Sequence, residues 1–150
     1  MKEIDGPSFH LGMINCFAEM VAVGVKPLAI SPPLAPEEYE EIREASDAIV
    51  EGSRIRSWLE TSLLVTDLQS PEFTRGKWSI LYYKDPEVLE AYRALKARKE
   101  KLEGEGGYSA EERRALSWEL MELLGYPPHA IQAKLEARGT DDPFILPPRV

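Results

Sequence analysis

The chain has 150 residues, 43% of them hydrophobic and 29% charged, which is enough for one globular domain with a real core and excludes a disordered chain. Its 26 acidic residues against 18 basic ones give a formal charge of −8, which repels phosphate backbones and argues against nucleic acid as a partner. The single cysteine, Cys16, excludes an intrachain disulfide and suits a reducing compartment.

The first residues, acidic and broken by Gly6-Pro7, lack the basic and apolar regions of a secretion signal. Residues 9–25 (FHLGMINCFAEMVAVGV) read as a helix capped by Ser8 and stopped before Pro27, with Gly24 weakening its last turn. At about 100° per residue, Phe9, Met13, Ile14, Phe17, Ala18, Met20, Val21 and Val25 cover more than half of its circumference. A narrow stripe of Gly12, Asn15, Glu19 and Lys26, flanked by Cys16 and Ala22, completes the wheel. The apolar run carries Asn15 and Glu19 and falls short of the roughly 20 residues of a membrane span, so no membrane partner is expected.

Residues 28–31 (LAIS) form a brief apolar run ended by Pro32-Pro33, as a buried strand would. Pro36 suits a first helical position, and Glu37, Glu38, Glu40 and Glu41 favour the positive end of the helix dipole. That helix buries Tyr39, Ile42, Ala45 and Ile49 and stops at Gly52. With a strand at 54–59 it makes a βαβ unit, in which Ile30 and Ile55 lie in neighbouring strands. Residues 63–66 (LLVT) and 77–83 (KWSILYY) are the clearest strand signals, being apolar, β-branched or aromatic.

Beyond them the chain is helical. Asp85-Pro86 opens a helix whose cations, Arg93 to Lys101, come late and complement the dipole. Gly104, Gly106 and Gly107 break it, and Ser109 with Glu112 forms a capping box for the next helix, which Gly125 ends. Pro127-Pro128 starts a last helix towards Gly139. In the segment 140–150, Phe144, Ile145 and Leu146 are apolar enough to pack on the domain or on a partner subunit. The expected architecture is α+β: one helix-rich domain over 1–150, with about five helices around a small mixed or antiparallel sheet of about three to four strands.

Motifs that carry chemistry are scarce. Zinc wants about four His or Cys ligands, and the chain holds His10, His129 and Cys16, so neither a metal nor a cofactor is expected. The glycines at 104–107 lack phosphate-loop spacing, and no Gly-x-Ser-x-Gly elbow occurs. His10, in the first turn near the apolar arc, reads as a hydrogen-bonded core or cap histidine.

The candidate ligand-binding residues are Asn15, Cys16, Glu19 and Ser31. Glu19 could act as base or cation partner, Asn15 as hydrogen-bond orienter, Cys16 as thiol, and Ser31 from the loop that follows the first strand. The plainer reading is that Asn15 and Glu19 face water and Cys16 is a small buried hydrophobe. Two functions remain. One is a soluble, cytoplasmic, non-catalytic binding or assembly protein that forms a homo-oligomer through its surplus apolar surface. The other is a small-molecule-binding protein or enzyme, its cleft lying between the first helix (Asn15, Glu19) and Ser31-Pro32-Pro33.

Overall fold

A computed structural model describes residues 3–69 and 71–137. In chain order its elements are α1 (Gly6–Ala22), β1 (Leu28–Ile30), α2 (Pro36–Ser53), β2 (Arg56–Glu60), α3 (Pro71–Thr74), β3 (Ser79–Tyr83), α4 (Pro86–Gly104), α5 (Ala110–Leu123) and α6 (Pro128–Ala137). The expected helix-rich α+β architecture is the observed one, with an antiparallel three-stranded sheet. The segment 140–150, with Phe144, Ile145 and Leu146, lies outside the described residues.

The strands lie in the order β1-β3-β2, and both outer strands run antiparallel to β3. The β1-α2-β2 crossover is therefore split: β3 lies between the two strands expected to be neighbours, and Ile55 precedes β2. β3 takes the centre because all five of its residues are buried, so it can serve a core on each face and a partner on each edge. Alternation sorts its side chains. Ile80 and Tyr82 join Ala29, Ile14, Ala18, Val21 and Ile42 under α1 and α2. Leu81 and Tyr83 join Leu28, Ile30, Leu89, Tyr92, Leu116, Leu120 and Ile131 under α4, α5 and α6. The register pairs Leu28 with Tyr83, Ala29 with Tyr82 and Ile30 with Leu81, so each pair serves one core. A slip of one residue would exchange the two cores.

Local signals set most boundaries. Pro36 and Pro86 each stand in the first turn of their helices, and the Ser109 hydroxyl accepts the Glu112 N–H at 3.3 Å. At α2 the cap works in reverse: Ala35 has no acceptor to offer, and the Glu38 carboxylate reaches back to the Ala35 N–H at 2.8 Å. α2 also runs past Gly52 to Ser53 and is capped by Arg54, whose φ of 56° puts an arginine in the left-handed conformation.

Three expectations are corrected. Asp5, not Ser8, caps α1: the carboxylate accepts the Ser8 N–H at 2.9 Å, and Pro7 occupies the first turn. The helix stops earlier, at Ala22, because Gly24 turns at φ 85°. Residues 63–66 are not a strand. Their polar groups are satisfied by side chains instead of a neighbouring ladder: the Leu64 N–H donates to Tyr92 Oη at 2.9 Å, the Val65 carbonyl accepts Lys99 Nζ at 2.7 Å, and the Thr66 N–H donates to Gln69 Oε1 at 2.9 Å. The apolar content that suggested a strand is used by Leu64, buried in the core under α4 and α5.

Candidate functional site

α1 presents three arcs. Ile14, Ala18 and Val21 are buried against the sheet and α2. Asn15, Cys16 and Glu19 are exposed. Between these arcs, Phe9, His10, Met13 and Phe17 line a cavity of about 670 Å³ beside the edge strand β1. Ile30, Pro32 and Pro33 form its second wall, and Met121, Leu124 and Tyr126, at the end of α5, form the third. Thr66, Leu68, Gln69, Phe73 and Lys77 complete it.

The wall at 66–69 is pre-formed. Gln69 closes a small turn by accepting the Thr66 N–H with its side chain and donating its own N–H to the Thr66 carbonyl at 3.2 Å. Its outer side is held by charge: Arg113 Nε donates to Asp67 at 3.0 Å, and the Tyr108 ring lies 5.3 Å from the Arg113 guanidinium and 5.7 Å from Lys99 Nζ. A second depression on that side shares Thr66, Leu68 and Gln69, but Asp67, Arg113, Lys99 and Glu103 are paired with one another there. Such self-compensated charges need no ligand.

The polar groups of the apolar cavity are few. Lys26 is half-buried; its Nζ donates to the Leu124 carbonyl at 2.5 Å and stands 5.0 Å from the Tyr126 ring centroid. Burial lowers its pKa below the ordinary lysine value. Lys77 is exposed at the rim. His10 Nε2 lies 3.6 Å from a Glu38 carboxylate oxygen, and the ring meets Phe9 edge-on, while its Nδ1 is buried with no hydrogen-bond partner. His10 is thus not the fully hydrogen-bonded histidine expected from its position. The unmade bond lies in a residue of the cavity wall.

The four residues proposed from the sequence do not come together. Asn15, Cys16 and Glu19 face solvent and line no part of the cavity. Cys16 is exposed, not a buried hydrophobe. Ser31 is fully buried, where its hydroxyl accepts the Ile80 N–H at 2.8 Å and donates to the Pro32 carbonyl at 3.1 Å. That role extends the β1–β3 pairing by one residue and leaves no lone group for a ligand. A cleft between α1 and the Pro32-Pro33 loop does exist, but the helix lines it with Phe9, His10, Met13 and Phe17.

The missed residues carried one visible signal. The apolar arc of α1 is wider than one sheet face can cover, so part of it had to face something else. Which part is set by the docking angle of the helix, and that is a tertiary property. Among the described residues no group of three or more His, Cys, Asp or Glu side chains gathers as a metal site would. No described helix is long and apolar enough to cross a membrane. No protein-family model, curated protein or solved structure matches this chain, so the cavity is interpreted from its own geometry.

Proposed function

We propose that this is a non-catalytic binding protein that holds a small molecule with an apolar body in the cavity beside β1. The observation that carries the reading is the cavity itself: about 670 Å³, walled by Phe9, Met13, Phe17, Ile30, Leu68, Met121 and Leu124, with few polar groups among them. Small-molecule sites have this size and this balance of walls to polar anchors. Withdrawing ~300 Å² of apolar ligand surface from water favours binding by roughly 7 kcal/mol before the cost of association. A reducing compartment such as the cytoplasm suits the exposed Cys16.

The test uses N-phenyl-1-naphthylamine, an uncharged probe that fluoresces in apolar surroundings. Saturable binding at one site is expected, with a micromolar Kd. Met13→Trp, which fills the cavity, should weaken it at least tenfold, and Phe73→Ser, which removes an exposed part of the wall, severalfold. Glu19→Gln and Asn15→Ala should change nothing. Absent binding, or binding insensitive to both cavity variants, would refute the reading.

Self-association is a second reading, favoured by a different observation. Met20, Val23 and Val25 are 39%, 69% and 64% exposed and sit together where α1 ends. Apolar residues gathered on a surface suit an interface. Sedimentation should then detect a dimer that Val23→Asp dissociates, and a monomer at every concentration would dispose of this reading.

A further inference from the structure

We propose that the occupant of this cavity is an anionic amphiphile: a monocarboxylate whose apolar chain lies against α1 and whose head group pairs with Lys26 and Lys77. The inference builds on the binding role proposed above and concerns only the chemical class of the ligand.

Charge complementarity carries it. Acidic residues outnumber basic ones in the chain by 26 to 18, yet no Asp or Glu lines the cavity among the described residues. Its unambiguous charges are the two lysines. Neither has a carboxylate within ion-pair distance among the described residues, unlike Lys96, Lys99, Arg98 and Arg113 elsewhere in the protein. Lys26 gives one of its three N–H donors to the Leu124 carbonyl, which leaves two. A half-buried ammonium partnered by a main-chain carbonyl and a tyrosine ring, with no carboxylate beside it among the described residues, gains most from an anion, because its own hydration is already curtailed. Glu38, whose carboxylate lies 3.6 Å from His10 Nε2, is not one of the cavity's walls.

The experiment is displacement of N-phenyl-1-naphthylamine from the full chain by decanoate and by 1-decanol, which share an apolar chain and differ in the head group. Decanoate should compete at least tenfold better. Lys26→Met should remove most of that preference, read as the ratio of the decanoate and decanol affinities within each variant, and Lys77→Met, on the exposed rim, should remove a smaller part of it.

If the probe fails to bind, the binding role falls and the ligand class with it. If the probe binds but decanol competes as well as decanoate, or neither lysine variant alters the preference, the ligand class alone is wrong. A full-length Phe144→Ser, Ile145→Ser chain that binds the probe more than tenfold tighter would assign the cavity to the chain's own 140–150 segment, and would overturn the proposal.

Discussion

Replacing Glu60 with alanine is expected to destabilise the fold by about 3 kcal/mol, the cost typical of removing one partner from a buried ion pair. Glu60 ends β2 with its side chain buried, and its carboxylate accepts from Ser62 N–H at 2.9 Å, Tyr92 Oη at 3.0 Å and Lys96 Nζ at 3.1 Å. Tyr92 Oη accepts in turn from the Leu64 N–H. One carboxylate thus ties the end of β2, the extended segment after it and α4 into a single network. Alanine would leave the Ser62 N–H, the Tyr92 hydroxyl and the Lys96 ammonium without a shared acceptor. Glu60→Gln keeps an acceptor oxygen and should cost less, about 1–2 kcal/mol. Urea titrations of both variants check this. A Glu60→Ala loss under 0.5 kcal/mol would mean that water replaces the carboxylate freely and that the network does not hold segment 63–66.

Well above pH 10.5 the stability should fall by at least about 2.7 kcal/mol for each further pH unit. Tyr82 and Tyr92 are buried in opposite faces of the sheet, and burial raises both phenol pKa values well above the ordinary 10.0. The folded state therefore keeps at least these two protons that the unfolded chain releases once pH passes 10, and each retained proton costs about 1.4 kcal/mol per unit, with smaller contributions from Tyr39, Tyr108 and Tyr126, whose pKa values burial also raises. The stability from these tyrosines is complete below pH 10 and is lost as pH rises towards the folded values. Lys26 contributes with the opposite sign. Its folded pKa is lowered from 10.5, so its penalty is relieved as pH rises to that value and is constant beyond it. A domain of ordinary stability, ~5–15 kcal/mol, should accordingly unfold in strong alkali, with the phenolate absorbance appearing in the same transition. Tyr82→Phe should lower the slope by about 1.4 kcal/mol per unit. A slope unchanged by that substitution, or stability flat to pH 12, would contradict the burial of these phenols.

Those buried groups mark the limit of what the chain reveals as a string of residues. Pro36, Pro86, Ser109 and the late cations of α4 are local devices, and helices form where they stand. The central strand was legible too, because SILYY is apolar at every position but the first. Residues 63–66 misled for a physical reason: an apolar segment whose backbone bonds come from Tyr92, Gln69 and Lys99 has the composition of a strand. The order β1-β3-β2 was likewise hidden, since a crossover split by a later strand leaves no mark in the crossover itself.

The cavity was half legible. The excess of apolar residues on α1 and the Pro32-Pro33 interruption both belong to it, whereas the cleft was expected between Asn15 and Glu19 of α1 and Ser31-Pro32-Pro33. The polar stripe lies on the solvent side of the helix and lines no part of the cavity. Asn15 and Glu19 stand out by contrast in an apolar stretch, but contrast on a helical wheel is what any solvent-facing arc produces. The cavity wall on α1 is the part of the apolar arc turned away from the sheet, namely Phe9, Met13 and Phe17.

The most direct test of a ligand cavity beside β1 uses the methionine methyl groups as reporters. Met13 on α1 and Met121 on α5 line the cavity, whereas Met20 is exposed outside it. In a sample carrying ¹³C-methyl methionine, adding N-phenyl-1-naphthylamine should shift the Met13 and Met121 resonances together, saturating at one equivalent, and leave Met20 in place. Unmoved Met13 and Met121 signals, or a shift confined to Met20, would contradict the account.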